Sequence, residues 1–300
     1  MNSKERLNYL TPVQEVRGML LKREDLYAPF GQGEVNGGKL RQCMLLVNKI
    51  HQDYEGLITC CSIHSPQAPI TAATARAFGM RCEILYGGTS KERLLNLPMP
   101  KLCLRYGAKV TIAAKSGRSN ILYNKATTLK RIKGNRDYII LYGINLQEHE
   151  DILLGAVADQ VRNIPDKVKN LVLTCGSGIT AIGVLFGLHK YNKEVEQVHL
   201  VATGPDRQRL IHETLKLHNA DREINYHSLF HRPGFAYEKG VKAVWGGVHL
   251  HPNYEAKTMA WFQKSGLKAE ETLFWITGAE PTVKGQGKAV GTDAETNTNT

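Results

Sequence analysis

No apolar stretch in these 300 residues approaches the roughly 18 needed to cross a bilayer. The first residues, MNSKERLNYL, lack the apolar core of a signal peptide. Together these absences predict a soluble, cytoplasmic chain. C-x-x-C spacing is missing too: Cys43, Cys60, Cys61, Cys82, Cys103 and Cys175 fall mostly within apolar runs, which predicts reduced, buried thiols rather than a disulfide framework or a metal site. No internal repeat is present, which argues against a solenoid. Acidic residues are scarce, 28 against 39 lysines and arginines, for a formal net charge of +11. Such an excess raises affinity for polyanions and points toward a nucleic-acid partner, although a generally basic surface would give the same count. No basic run is dense enough to be an arm; the tightest cluster is KATTLKRIKGNR, from Lys125 to Arg136.

What the chain does contain is a 42% hydrophobic composition, sufficient for a sizeable core, and strand-length apolar runs alternating with helix-length segments. The runs are GLITCC at 56–61, RCEILYG at 81–87, AKVTIAA at 108–114, DYIILYG at 137–143, NLVLTC at 170–175, QVHLVATG at 197–204 and TLFWITG at 272–278. Helices are expected from Pro69 to Phe78, His149 to Arg162 and Ile179 to His189. The alternation predicts an α/β fold with mostly parallel sheets flanked by helices, in two domains. The polar, Thr-rich end of the chain, 286–300, reads as a disordered tail.

Two segments carry chemistry. In MLLKREDLYAPFGQGEVNGGKLRQCMLLVNKI a strand and a glycine-rich loop lead into a helix beginning near Lys39. A helix N-terminus disfavours an ammonium and helps keep that amine neutral. A turn followed by a solvated lysine has the same pattern. A phosphate-binding Walker loop is excluded by the glycine spacing and by the missing Ser or Thr after the lysine. In LTCGSGITAIGVLFGLH a strand enters Gly176-Ser177-Gly178-Ile179-Thr180 and then a helix, so unpaired backbone N–H groups and two hydroxyls converge as a candidate phosphate cradle. A plain structural turn remains the alternative.

These segments and two others resemble the fold-type II (tryptophan-synthase-like) enzymes that use pyridoxal 5′-phosphate (PLP), and within them the aminocyclopropane-carboxylate deaminase and D-cysteine desulfhydrase group. Lys22-Arg23-Glu24-Asp25 ahead of Asn36-Gly37-Gly38-Lys39-Leu40-Arg41 matches the group's K-R-[ED]-D and lysine loop. SPQAPITAATARAFGM, from Ser65 to Met80, has the length and ends of a second element, and GSGIT at 176–180 matches the phosphate loop. His251-Pro252-Asn253-Tyr254-Glu255-Ala256-Lys257-Thr258-Met259 matches D-P-x-Y-x-G-K-x-M. The resemblance spans nearly the whole ordered chain.

The resemblance implies a large cofactor-binding domain, 1–48 with 156–285, a smaller α/β domain, 49–155, a cofactor in the cleft between them, and a homodimer. It implies that Lys39 holds PLP as a Schiff base and moves a proton at Cα, and that Gly176, Ser177, Gly178, Ile179 and Thr180 bind the cofactor phosphate. Tyr254 would stand near the reacting carbon, and Glu255, with Thr277 as a second candidate, near the pyridine nitrogen. Ser65 would sit beside the substrate as a carboxylate ligand or a nucleophile.

Departures from the group concentrate where a free amino acid's carboxylate would be gripped. Its asparagine is Pro66 here, which offers no donor, and its arginine and glutamine are Pro69 and Ile70. Gln67 is the residue left to take over part of the contact. His227, His231, His249 and His251 lack regular metal spacing and are candidate anion contacts. Three functions follow. The first is a PLP-dependent lyase or deaminase that forms an external aldimine with an amino acid and stabilises a Cα carbanion. The second is a PLP-dependent decarboxylase or lyase acting on an amino acid attached to a thymine base in DNA, as in viral DNA hypermodification. The third is a non-catalytic, basic nucleic-acid-binding protein on the same fold.

Overall fold

The apolar runs form two separate sheets. The computed structural model describes residues 7–146, 148–236 and 238–282; the expected tail at 286–300 lies outside them. In chain order the strands are β1 (Val13–Val16), β2 (Met19–Arg23), β3 (Gly56–Cys60), β4 (Arg81–Gly87), β5 (Lys109–Ala114), β6 (Asp137–Ile140), β7 (Lys167–Cys175), β8 (Glu194–Ala202), β9 (Asn225–Ser228), β10 (Val244–Trp245), β11 (Val248–His249) and β12 (Thr272–Ile276). The larger sheet has the order β1-β2-β12-β7-β8-β9, parallel except for the β1–β2 hairpin. The smaller has the order β5-β4-β3-β6 and is wholly parallel. β10 and β11 make a short antiparallel hairpin.

The central strands show why the sequence reads as unbroken apolar runs rather than alternating ones. β3 and β12 are buried at every position, and β7 from Asn170 onward, because helices cover both faces of each sheet. β6 stops at Ile140, three residues short of the run in the sequence. There the chain turns through Gly143 and Ile144, both at positive φ, and the Gly143 N–H donates to Gln67 Oε1 at 2.6 Å. Helix Gln67–Ala77 begins two residues ahead of expectation, with Pro66 as its cap and Pro69 in its first turn, where no helical N–H is yet needed.

The K-R-E-D segment proves to be scaffolding for the helix Gly38–Ile50, which carries Lys39. Glu24, at the end of β2, pairs with Arg41 in that helix; both side chains are buried. The second Glu24 oxygen accepts from Thr11 Oγ1 at 2.8 Å. Lys22 Nζ donates to the Thr11 carbonyl and to Asn163 Oδ1, each at 2.7 Å. Arg41 also stacks its guanidinium on the Tyr27 ring, 4.4 Å from the centroid. Removing one partner of a buried ion pair strands a charge at a cost of about 3–5 kcal/mol, whereas replacing both leaves none. Arg41→Met alone is therefore expected to lower unfolding free energy by about that amount in urea titrations, and Glu24→Gln with Arg41→Met to recover most of it.

Candidate functional site

In open parallel sheets, ligands gather beyond the carboxyl ends of strands where the strand order reverses. Each sheet has one such reversal. In the larger sheet the reversal lies between β7 and β12, and in the smaller between β3 and β6. The residues that follow these four strands, with the turn before Lys39, line two adjoining cavities. Lys39, Gly176, Ser177 and Tyr254 line both.

Lys39 is the second residue of its helix, and the turn ahead of it is clamped to the chain leaving β12. The Gly38 N–H donates to the Thr277 carbonyl at 2.9 Å, and the Ala279 N–H donates to Asn36 Oδ1 at 2.7 Å. Gly37 is required here. Its φ is +93°, and a Cβ would fall on the Thr277 carbonyl oxygen and 2.8 Å from Gly278 Cα. Burial lowers the pKa of the Lys39 amine, opposed by the neighbouring Cys61 and Glu255.

Glu255 and Thr277, expected as alternatives, act as one unit. The Thr277 N–H donates to Glu255 Oε1 at 3.0 Å, and the Thr277 hydroxyl donates to the same oxygen. Glu255 is 1% exposed, and its Oε2 has no hydrogen-bond partner among the described residues. Burial pushes its carboxyl up to about 7, against the pull of the Thr277 donors.

β7 delivers the 176–180 loop to the same place. Gly178, at φ +89°, caps the helix Ile179–Lys190. Ser177, Gly178 and Thr180 line the first cavity with Gly176, while the Ile179 side chain points into the core, leaving its backbone N–H as its available group. The Tyr254 ring lies over Gly176, whose Cβ would stand 3.6 Å from Tyr254 Cε1.

From the smaller sheet come Ser65, which lines the second cavity, and Pro66, which lines the first. Ser65 Oγ accepts from the Gln67 N–H at 3.3 Å. The structure alters the expected role of Gln67. Its Nε2 donates to Thr59 Oγ1 at 2.9 Å and to the Leu141 carbonyl at 2.8 Å, so both amide hydrogens are engaged in tying β3 to the turn after β6. Gln67 lines the second cavity as a brace without a free donor.

His251 is the site residue whose role was left open among the four histidines. It lines the first cavity, is 4% exposed, and packs edge-on against Tyr254. Its Nδ1 accepts from the Asn253 N–H at 3.2 Å, which places the ring proton on Nε2, a buried donor with no partner among the described residues. Burial, aided by Lys39 and Lys257, lowers its pKa to about 3, so the ring is neutral. The histidine standing for the first aspartate of D-P-x-Y was the signal. The others lie elsewhere: His227 stacks with His199 and Trp261, His231 meets Phe230, and His249 ends β11.

No protein-family model matches the chain. It is 27% identical, over a 334-residue alignment covering 88% of the chain and 78% of the relative, to the O-seryl-dTMP PLP-dependent decarboxylase of Salmonella phage ViI. It is 25% identical over 272 residues, 79% of the chain and 77% of the relative, to a 1-aminocyclopropane-1-carboxylate (ACC) deaminase of Cyberlindnera saturnus. Among solved structures it superposes on an ACC deaminase homologue with a TM-score of 0.70 at 21% identity, covering 93% of this chain and 95% of that one. On threonine deaminase isoform 2 of Solanum lycopersicum the TM-score is 0.60 at 14% identity, covering 92% and 86%. The fold is that of the fold-type II PLP enzymes.

The Glu255 carboxyl gives the cofactor-free protein a pH signature. The unfolded chain releases this proton near 4.5 and the folded one holds it to about 7. Stability from this group is thus complete below 4.5 and lost as pH rises toward 7. Across that interval the wild type is expected to lose about 3 kcal/mol more unfolding free energy than Glu255→Gln, as read from urea midpoints.

Proposed function

We propose that this chain is a PLP-dependent enzyme that removes CO₂ from an amino acid carried on a thymine base of DNA. The observation carrying the cofactor assignment is the unpartnered Oε2 of buried Glu255. A carboxylate in that setting calls for a cationic N–H, and the protonated ring nitrogen of PLP is one. The 176–180 turn complements it, with backbone N–H groups at a helix start and the Ser177 and Thr180 hydroxyls to receive a phosphate. Lys39 lines the same cavity as both and would hold the cofactor covalently through its amine. The residues present fit the group.

When bound, PLP supplies an electron sink for the pair released at Cα. The chain's own residues do the rest. Burial shifts the Lys39 amine toward its neutral, nucleophilic form, and the same group would carry a proton to Cα. Glu255 holds a proton at the ring nitrogen, and Thr277 fixes the orientation of Glu255. Tyr254 packs over Gly176, where it would stand beside the reacting carbon, and the His251 Nε2–H would offer a neutral donor to an acceptor in the first cavity. In the reaction the bond between Cα and its carboxylate breaks, the electron pair remains at Cα, CO₂ departs, and a proton takes its place.

Decarboxylation of a DNA-borne substrate draws support from three features. Pro66 has no donor and both Gln67 amide hydrogens are engaged, which leaves the usual carboxylate grip poorer in donors. The second cavity continues from Lys39 to Gly117, Ser119 and Arg207, which line no part of the first. The relative from phage ViI acts, by its name, on a seryl-bearing thymidine nucleotide. The surface is compatible with DNA: Lys125 and Arg131 are exposed and form no ion pair among the described residues, although Lys133 and Arg136 of the same cluster are engaged with carboxylates. A lyase or deaminase of free amino acids, resembling the relative from Cyberlindnera saturnus, is the second reading, favoured by the retained Tyr254-Glu255 pair.

The test is an absorption spectrum of PLP-treated wild type beside Lys39→Ala. A yellow band is expected in the wild type and not in the variant. Single-stranded DNA bearing O-seryl thymine should perturb that band and release CO₂, with binding that weakens steeply as salt rises. Turnover of free amino acids with indifference to the modified DNA would establish the second reading. Absence of the band from the wild type would end both.

A further inference from the structure

Arg207 is a charged group for which the reaction above has no use. It follows β8, in the turn that opens helix Gln208–Leu217, and lines the second cavity but not the first. Its backbone N–H is fixed by Tyr226 Oη at 3.0 Å. Its Cβ and Cγ pack against Gly178, 3.3 and 3.6 Å from where a Cβ would stand, so the absence of a side chain there seats the arginine stem on the phosphate loop. The guanidinium has no ion pair among the described residues, and its Nε is buried without a hydrogen-bond partner. The adjacent carboxylate, Asp206, turns to the Gln208 N–H and side chain instead.

The rest of the cavity has the same character. Among the described residues no carboxylate lines it, and its polar groups are mainly hydroxyls, including those of Ser62, Ser65, Ser119 and Tyr142. Its outer wall includes Gly117 and Ser119, which flank exposed Arg118. Hydroxyl donors around an unpaired guanidinium, with no competing acid, make a site for an anion. Lys39 lines both cavities, so an amine held there in the first and an anion held on Arg207 in the second can belong to one substrate.

We propose that Arg207 and the second cavity form a phosphate subsite for the nucleotide that bears the amino acid. This rests on the DNA-borne substrate proposed above and adds how that substrate is held: the reacting amino acid in the first cavity, a flanking phosphate on the guanidinium in the second. Arg207 is a substrate-binding residue and takes no part in bond breaking.

Calorimetric titration of the PLP-loaded protein with thymidine and with thymidine 3′,5′-bisphosphate isolates the subsite without turnover. The bisphosphate is expected to bind the wild type at least tenfold more tightly than thymidine. Arg207→Gln should weaken the bisphosphate by about ten- to a hundredfold, the effect of losing one charge-assisted contact, while thymidine affinity and the cofactor absorption band stay as they were. Arg207→Lys should retain part of the discrimination.

Equal affinity of the wild type for the two probes would overturn the proposal. So would loss of the cofactor band in Arg207→Gln, which would assign the guanidinium to the cofactor's own phosphate. A weakened L-serine-induced band shift in that variant, with bisphosphate binding intact, would assign it to the carboxylate of a free amino acid and overturn it as well. Failure of the broader reading is separately visible, as wild-type protein that binds the bisphosphate yet does not turn over O-seryl DNA.

Discussion

Thr277 is the residue on which the site's geometry turns, because it is bonded from two directions at once. Its carbonyl accepts from the Gly38 N–H, which fixes the turn presenting Lys39. Its N–H and hydroxyl both donate to Glu255 Oε1, which fixes the carboxylate. One residue at the end of β12 thus sets the positions of the lysine and the acid together. The approach is close enough that Gly37 has no room for a side chain. Shifting β12 within the larger sheet would move both groups, so its parallel pairing with β2 and β7 is part of the active-site geometry.

Two buried carboxylates near this junction are treated in opposite ways. Glu24 is saturated by Arg41 and Thr11, and it serves the helix that carries Lys39. Glu255 has two donors on one oxygen and none on the other. The charge on Glu24 is balanced within the fold, whereas desolvation of Glu255 outweighs its hydrogen bonds and pushes its carboxyl up to about 7. An unsatisfied buried oxygen costs about 1–3 kcal/mol. A ligand N–H that satisfies it recovers that energy on binding, which ties cofactor affinity to the same defect that makes the cofactor-free protein sensitive to pH.

Much of this is legible in the amino-acid sequence. Apolar runs buried on both faces mark parallel strands plainly, and each of the seven runs is a strand. The glycines at 37 and 178 mark turns that require positive φ. The Lys39, 176–180 and Tyr254-Glu255 segments, far apart in the chain, meet around one cavity. What the sequence hid were partnerships. Nothing in Q-A-P-I shows that the Gln67 amide is consumed by Thr59 and Leu141, since those residues lie on another strand and the turn after a third. The match of Lys22-Arg23-Glu24-Asp25 to the group's motif does not show that Lys22 and Glu24 are buried, or that their partners are up to 141 residues away. Arg207 drew no notice for the same reason: its unpaired state and its place on the cavity wall follow from how β8 is laid beside β7.

The missing carboxylate grip and the unpaired arginine have a common explanation in the proposed reaction. Near Pro66 a substrate carboxylate would leave water and find few donors, because proline has none and the Gln67 hydrogens are taken. A poorly solvated carboxylate is raised in free energy relative to neutral CO₂, so the weak grip works in favour of decarboxylation. The same weakness would let a free amino acid drift away. Binding energy must then come from a part of the substrate that does not react, which is where remote contacts promote catalysis by offsetting an unfavourable arrangement at the reacting centre. A nucleotide phosphate held by Arg207 meets that requirement, since it lies outside the first cavity and keeps its charge while CO₂ departs.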